Sequence, residues 1–560
     1  MLKPKLFTTL KDYSKDQFIS DLIAGIIVGI VAIPLAIAFG IASGVSPEKG
    51  LFTAIVAGFL VSALGGSRVQ IGGPTGAFVI IVYGIVQKYG IDGLVIATFL
   101  AGIILLIMGF AKFGTIIKFI PHSVVVGFTS GIAVVIFSSE VKDFLGLKVE
   151  KIPAEFLEKW RVLFENIHTV NISALLLALL TVLIISVWPR ISKKVPGSLV
   201  ALILGSALAA FFQLPVETIG SRFGALPHTL PVPRIPTLDI ATIQNLFHPA
   251  FTIALLGAVE SLLSAVVSDG MIGGKHRSNM ELIGQGAANI GSALFGGMPA
   301  TGAIARTVTN IKNVGRTPVA GMVHAATVLL IMLFFGQWIK LVPLACLAGI
   351  LVVAAYHMSE WHSFLELLKG SKGGIAVLLA TFFMTVLVDL TAAIQLGVVL
   401  SAFIFMKRMA DITSIKLLAK EIEEDEKADG RPLNKFIVPT GVEVYEIDGP
   451  LFFGAASQFD ETDREIGEKP KVRILRFRDV PFIDSTGMHA LKNFYHRCQG
   501  SHIRLIITGL HVQPLNEMVK SNLYELIGEE NVFSNMKDAL NRAGELAREK
   551  KVSSFPQPSR

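Results

Sequence analysis

Apolar positions in this chain come in long blocks rather than at the spacing a water-soluble fold requires. Uncharged apolar runs occupy Leu22–Ala42, Leu94–Phe110, Ser123–Phe137, Ile172–Val187, Ser198–Phe212, Phe251–Val267, Val319–Phe335, Leu341–Ala355, Ile375–Val388 and Ala392–Met406. A helix of about 20 such residues spans the ~30 Å hydrocarbon core of a bilayer. Shorter or glycine-broken runs lie at Leu51–Leu64, Ala77–Val86, Ile283–Phe295 and Gly302–Val308. Together they predict about fourteen segments, several too short to cross alone. After Met406 the pattern changes. A charged stretch from Lys420 to Lys427 precedes strand-like runs at Val442–Ile447, Arg473–Phe477 and Ile503–Ile507, interleaved with helix-like patterns at Met488–Arg497 and Leu515–Ser521. That alternation predicts a small α/β domain. The expected organisation is an N-terminal lead-in (1–20), a transmembrane domain (21–408), a charged linker (409–436), the α/β domain (437–550) and a flexible tail (551–560).

Composition supports two solvents. Hydrophobic residues make up 52 % of the 560, charged residues 17 %, and the mean hydropathy is +0.62. Soluble domains carry roughly 25 % charged residues, and disordered chains lack this apolar content. Charge is concentrated late, at roughly 11 % before Lys407 and about 30 % from there on. The formal net charge of +7 is assigned to loop and tail residues near anionic lipid. No interleaved aromatic and basic stripe points to nucleic acid. The two cysteines, Cys346 and Cys498, supply neither a disulfide framework nor a metal-ligand spacing. No cofactor is expected. Gly273-Gly274-Lys275 is a near miss for a phosphate loop, because Asp269 and His276 stand where Gly and Ser or Thr belong. No nucleophile–base constellation suggests an enzyme.

The N-terminus, with Lys3, Lys5, Lys11 and Lys15 and no cleavage site, reads as cytoplasmic. An even number of spans then places the C-terminus inside too, with Lys112, Arg190, Lys193, Lys194, Lys275, Arg277, Lys312, Arg316, Lys407 and Arg408. One loop disagrees, since Lys142, Lys148, Lys151, Lys159 and Arg161 fall outside together with Glu150, Glu155, Glu158 and Glu165. The localisation expected is a multi-pass protein of the inner membrane with both termini in the cytoplasm.

The candidate chemistry lies in a repeat. Gly72-Gly73-Pro74-Thr75-Gly76-Ala77 is echoed by Gly296-Gly297-Met298-Pro299-Ala300-Thr301-Gly302-Ala303, and each precedes an unusually short apolar segment. Paired interruptions of this kind point to an inverted-repeat transporter with its site between them. If half-helices begin at Thr75 and Thr301, their free N–H groups converge on a site for a small anion. Arg306 adds a full charge one turn into the second. A charge near mid-membrane costs at least ~2.5–3.5 kcal/mol, so it requires a partner or a wet cavity. Glu260 is the other intramembrane charge, read either as a proton or cation site or as the permanent salt-bridge partner of Arg306. Asp269 is expected to be solvated, Asp389 structural, and His324 and His122 packed or at the surface. The small-xxx-small pairs Gly25/Gly29, Gly40/Gly44 and Gly127/Gly131 read mostly as close helix packing.

These residues resemble the SulP anion transporters (solute carrier family 26). The matches are Asp21-Leu22-Ile23-Ala24-Gly25 through Pro34-Leu35-Ala36, Gly50-Leu51-Phe52, Gly73-Pro74-Thr75 and Glu281-Leu282-Ile283-Gly284-Gln285-Gly286. Phe482-Ile483-Asp484-Ser485-Thr486-Gly487 resembles the STAS domain that closes such proteins. The resemblance implies an α-helical polytopic fold of fourteen segments in two inverted sevens, a core domain moving against a gate domain, and a homodimer. It places the anion near Gly73, Thr75, Gly76, Ala77, Gly302, Ala303, Ala305 and Arg306, with Leu35 nearby. It puts the coupling ion, proton or sodium, at Glu260 and Ser264. The run from Glu260 to His276 is most similar to a bacterial branch that takes up succinate, fumarate or aspartate with protons. Sulfate transport, sodium-coupled bicarbonate transport and a passive anion channel of the same fold are the alternatives. In the tail, Asp484, Ser485 and Thr486 are the candidate regulatory residues, with Ser485 at the position phosphorylated in stand-alone STAS proteins. Asp484 or Ser485 serving only as a helix cap is the other reading.

Overall fold

The computed structural model describes residues 2–115, 121–149, 152–153, 155–192, 196–224, 229–237, 239–388, 390–418, 421–423, 435–454 and 470–548. Asp389, Lys151, Lys193, Lys194 and most of the charged stretch after Lys420 lie outside these residues. The chain divides into two compact units, Met1–Val399 and Leu400–Arg560.

The first unit is helical. Its long elements are α1 (Lys15–Ala42), α2 (Pro47–Leu64), α3 (Val79–Phe110), α4 (His122–Leu145), α5 (Phe156–Glu165), α6 (Ile172–Ile191), α7 (Gly197–Phe211), α8 (Ile219–Phe223), α9 (Ile240–Ile272), α10 (Ser278–Leu294), α11 (Ile304–Lys312), α12 (Pro318–Ile339), α13 (Leu344–Met358), α14 (Trp361–Leu367), α15 (Lys372–Leu387) and α16 (Leu390–Ile412), the last running on into the second unit. Among the described residues nine helices are long and apolar enough to cross a membrane. The remaining apolar runs are shorter helices, as the sequence leads one to expect. α3 is two helices in series, because Gly90 takes φ 70° and ψ −172°, a conformation that ends one helix and starts another.

Glycine lets these helices touch backbone to backbone. Gly25 and Gly29 of α1 lie against Ala320, Val323 and Thr327 of α12, and Gly127 and Gly131 of α4 against Leu378, Thr381 and Thr385 of α15. The small-residue stripes are therefore used inside the chain. The later half of α3 meets α10 through Gly102 and Gly286, whose added Cβ atoms would each stand 2.8 Å from the other's carbonyl oxygen. Carboxylates tie the loops to this packing. Asp21 accepts hydrogen bonds from the Arg316 and Thr317 N–H groups and the Thr317 hydroxyl, so it caps α12 from across the fold. Glu281 accepts from the N–H groups of Gly66 and Ser67 at 2.7 and 2.9 Å, anchoring the strand-like stretch that leads into the first broken segment.

The second unit is α/β and is built on a mixed sheet. Strands β3 (Ser414–Leu418), β6 (Val442–Asp448), β7 (Val472–Asp479), β8 (Arg504–Thr508) and β9 (Val532–Phe533) lie in that order. The first pair is antiparallel and the rest parallel. β4 (Glu421–Glu423) and β5 (Lys435–Ile437) form a separate ribbon. Parallel pairing needs a crossover after each strand, here α17 (Ser485–Gly500) and α18 (Val512–Lys520). Phe477, Leu491, Phe494, Ile507 and Met518 fill one face, and Val444, Ile474 and Ile506 meet Ala539, Leu540 and Ala543 of a final helix, Met536–Arg548, on the other. Part of the stretch expected as a charged linker, 409–436, is instead built into this unit. Ile415 on β3 packs on the core, a signal that the charge run beginning five residues later obscures.

Candidate functional site

The two Gly/Pro-broken segments meet. Gly72–Gly73 forms a two-residue strand, β1, antiparallel to Thr301–Gly302, β2, with Gly72 opposite Gly302 and Gly73 opposite Thr301. Thr75 then enters a single 3-10 turn, Gly76–Phe78, that runs into α3, and Ala303 enters α11. The expected half-helices thus exist, but each is preceded by strand. A helix cannot start until the glycine–proline stretch has satisfied its backbone elsewhere, and here the two stretches satisfy each other.

A polar frame fixes the crossing. The Ala303 N–H donates to Ile71 O at 2.8 Å, Ile71 N–H to the Thr307 hydroxyl oxygen at 3.1 Å, and Asn310 Nδ2 to Val69 O at 2.8 Å. The hydroxyls of Ser261 on α9 and Thr301 share a bond of 2.6 Å, and the Ser261 hydroxyl oxygen also accepts from the Gly302 N–H. Asn289 of α10 brackets Ala300 with a bond in each direction. The glycines are dictated by this frame. At Gly73, φ is +150° and an added Cβ would stand 2.3 Å from Arg306 Nη1; at Gly302 it would stand 1.6 Å from Gln70 Nε2.

Arg306 is 2 % exposed and, among the described residues, makes no ion pair. Its Nη2 donates to Pro74 O at 2.6 Å, so the side chain of the second segment clasps the backbone of the first, while its Nη1 is buried without a hydrogen-bond partner. Glu260, half-buried on α9, accepts a hydrogen bond from the Thr75 hydroxyl at 3.0 Å. The permanent Glu260–Arg306 salt bridge is therefore not formed. The two charges bind consecutive residues, Thr75 and Pro74, of the same broken segment. Ser264 belongs elsewhere, since its hydroxyl donates to Thr307 at 3.4 Å.

Of the expected anion-site residues, Gly73, Thr75, Gly76, Ala77, Gly302, Ala303, Ala305 and Arg306 are brought to this crossing. Gly76 and Ala77 are buried, while Ile304 and Ala305 at the start of α11 are exposed. The start of α11 is thus exposed, at the place where the first N–H groups of a helix lack intrahelical partners. Leu35 is half-buried in the apolar core and has no polar group to offer. The residues that pack at Gly76 are Phe39, Ile136 and Met358, each within 3.2 Å of an added Cβ. They, with Ser261, are the neighbours of the crossing that the sequence reading did not single out. Apolar residues in apolar helices and lone hydroxyls carry no local signature.

Elsewhere, Asp269 is not solvated as expected. Its Oδ2 accepts from the His276 N–H and lies 2.7 Å from Nδ1, while His276 Nε2 lies 3.0 Å from the Ser278 hydroxyl. The chain Asp–His–Ser closes the turn between α9 and α10. His324 is fully buried with neither ring nitrogen hydrogen-bonded. In the second unit Asp484 caps α17 by accepting from the Gly487 N–H at 2.7 Å, and Ser485 and Thr486 stand exposed beside it. Among the described residues no group of three or more His, Cys, Asp and Glu could hold a metal.

Helices that span a membrane and two broken segments crossing around an unsatisfied cation define a multi-pass anion transporter. Residues 18–381 match the sulfate permease family and residues 436–539 the STAS domain. The chain belongs to the sulfate permease (SulP, solute carrier 26) family. It is 42 % identical over 525 residues to YvdB of Bacillus subtilis (strain 168), covering 93 % of this chain and 97 % of that one; the name of that relative ascribes sulfate transport to it provisionally. It is 30 % identical to the bicarbonate transporter BicA of Synechocystis, with 88 % of each chain covered. The fold matches that of murine Slc26a9 in an inward-facing state, with a TM-score of 0.86 at 18 % identity over 97 % of this chain and 94 % of that one. It also matches the transmembrane domain of a cyanobacterial BicA, with a TM-score of 0.63 at 31 % identity over 68 % of this chain and 98 % of that one.

Proposed function

We propose that this chain is a secondary active transporter that works by alternating access, holding its anion between the starts of the two broken segments and a co-transported ion at Glu260. The observation that carries this reading is the free Nη1 of buried Arg306 at the point where the segments cross. A buried cation without a counter-charge is costly, and an anion supplies the missing charge. The swapped packing of α1 on α12 and of α9 on α3 supports two inverted sevens.

Glu260 supplies the coupling. Among the described residues its carboxylate is bound by a hydroxyl and by no cation, so it can take a proton or a sodium ion. Thr75 stands in both sites at once, with its hydroxyl on Glu260 and its backbone opening the anion-binding turn. An ion that binds Glu260 is felt there directly.

For the substrate, the site contains one cation and two helix starts, which suits a compact oxyanion of the sulfate or bicarbonate kind. The relatives named above for sulfate and bicarbonate point the same way. The resemblance of the Glu260 region to the dicarboxylate branch favours succinate or fumarate as the second reading. We further propose inner-membrane placement as a homodimer with both termini cytoplasmic, and a regulatory role for Asp484, Ser485 and Thr486.

Uptake into proteoliposomes of labelled sulfate, bicarbonate and succinate, with imposed pH and sodium gradients, tests this. Accumulation above the equilibrium level driven by one gradient is expected, and its absence for every anion with fast passive flux would make the protein a channel. Sodium dependence without pH dependence would exclude a proton at Glu260. Accumulation of succinate alone would establish the dicarboxylate reading.

A further inference from the structure

The cationic loop that opposes the expected orientation surrounds a cavity. At the end of α4 away from His122, a space of about 310 Å³ is lined by Glu140, Lys142, Asp143, Lys159 and Arg222, three cations against two carboxylates. It continues along α3 past Tyr83 and Gln87. Tyr83 lies eight residues beyond Thr75, roughly 12 Å up the helix. Gly76, beside Thr75 at the crossing, is packed by Phe39, Ile136 and Met358. With the orientation proposed above, the cavity is the outer mouth of the anion's path.

The lining is built rather than incidental. Lys159 is 3 % exposed, with its ammonium donating to the Ser139 hydroxyl at 2.7 Å, and Trp160 Nε1 donates to Ser138 at 3.1 Å, so α5 is stapled onto α4. Arg222 of α8 holds Asp143 through both carboxylate oxygens at 3.1 Å. Glu140 is the exception. It is 6 % exposed, lines the cavity together with Lys159, Arg222 and Asp143, and among the described residues accepts no hydrogen bond. A carboxylate so placed occupies the position that a small free anion would take among these cations.

We propose that this cavity is an outer docking site for a small inorganic or carboxylate anion, and that the Glu140 carboxylate is its tethered competitor. An incoming anion displaces Glu140 from the field of Lys159 and Arg222, or finds the site open when Glu140 is neutral. Two of the loop charges that violate the positive-inside pattern, Lys142 and Lys159, are then explained by function rather than topology. The proposal rests on the transport reading only for its direction of traffic, since the charge of the cavity can be measured without transport.

Burial lowers the Lys159 ammonium from its usual range to about 8, with Glu140 opposing the fall. A lysine lowered in this way is charged below that pH and neutral above it. Attraction for anions is therefore full below about 8 and weakens as the outer pH rises through it. The other titratable or charged groups facing the cavity are Glu140, Lys142 and Asp143 on α4, Arg222 on α8 and Tyr83 on α3.

The test uses full-length protein in right-side-out vesicles carrying Gln87→Cys, an exposed position on the cavity wall. The native Cys346 and Cys498 are buried, and the parent chain gives the background. The modification rate by an anionic methanethiosulfonate (sulfonatoethyl) is divided by that of a cationic one (trimethylammonioethyl), each scaled to a free thiol. We expect a ratio above one that falls about threefold in Lys159→Gln and rises about threefold in Glu140→Gln. Neighbouring Lys88 acts equally in all three. A ratio unchanged by either substitution would overturn the proposal, and if transport persists it would leave the central site untouched. If Glu140→Gln does not fold, the ratio in the Gln87→Cys chain alone decides. It should decline between pH 7 and pH 9, and a flat profile overturns the proposal.

Discussion

The two broken segments share a backbone plan and differ in chemistry. Each goes from a glycine-bearing two-residue strand into a helix, and the strands pair with each other. The first segment contributes a hydroxyl, from Thr75, and is sealed by Phe39, Ile136 and Met358. The second contributes a guanidinium, from Arg306, and leaves Ile304 and Ala305 open. The difference teaches that pseudo-symmetry here serves geometry alone. It brings two helix starts together, and in the proposed reading the residues one step further divide the tasks, the co-ion at Glu260 beside Thr75 and the anion's charge at Arg306. Arg306 then binds the halves into one site by reaching across to Pro74.

The comparison can be broken most severely at its glycines. Gly73→Ala should abolish uptake, at least about 100-fold, because the Cβ would strike Arg306 and the residue would be strained at φ +150°. Gly302→Ala should be as damaging alone but partly rescued by Gln70→Ala. The obstacle there is a side chain whose amide atoms have no partners. Uptake and thermal unfolding of the Gly302 and Gln70 variants check this; for Gly73→Ala, equal recovery of thermal stability by Arg306→Ala would show that the strain is unimportant. At the next level, Glu260→Gln should lose gradient-driven accumulation, roughly 10-fold or more, yet retain anion exchange, because the anion site keeps Arg306. Counterflow and gradient-driven uptake measured side by side separate these. Thr75→Val should reduce accumulation several-fold, as it cuts the link between Glu260 and the first segment. Ser264→Ala should change coupling by less than about twofold, since Ser264 bonds Thr307 rather than Glu260.

Much of this arrangement is legible in the amino-acid order. The bilayer imposes long uncharged runs, so nearly every spanning helix is visible, including the short runs that become α2, α10 and α11. Charges are expensive in lipid, so Glu260 and Arg306, each set in an uncharged run, stand out in the sequence as candidates for the site. Which atoms they bind is not visible. Strands of two residues have no periodicity to read, so the β1–β2 pairing that points Arg306 at Pro74 rather than at Glu260 emerges only in three dimensions. Ser261 looks like an ordinary membrane hydroxyl until it stands 2.6 Å from the hydroxyl of Thr301. The loop at Lys142–Arg161 read as a conflict because charge counting is blind to which residues curl inward, as Lys159 does.

The claim that an anion completes the buried charge of Arg306 is tested most directly by equilibrium binding. Labelled sulfate, bicarbonate or succinate, whichever the uptake assay selects, is titrated onto purified wild-type and Arg306→Ala protein matched for thermal stability. The account predicts affinity weakened at least about 10-fold, in line with the loss of a charge-assisted contact. Equal affinity in the two proteins would contradict it and leave Arg306 as a clasp between the two segments.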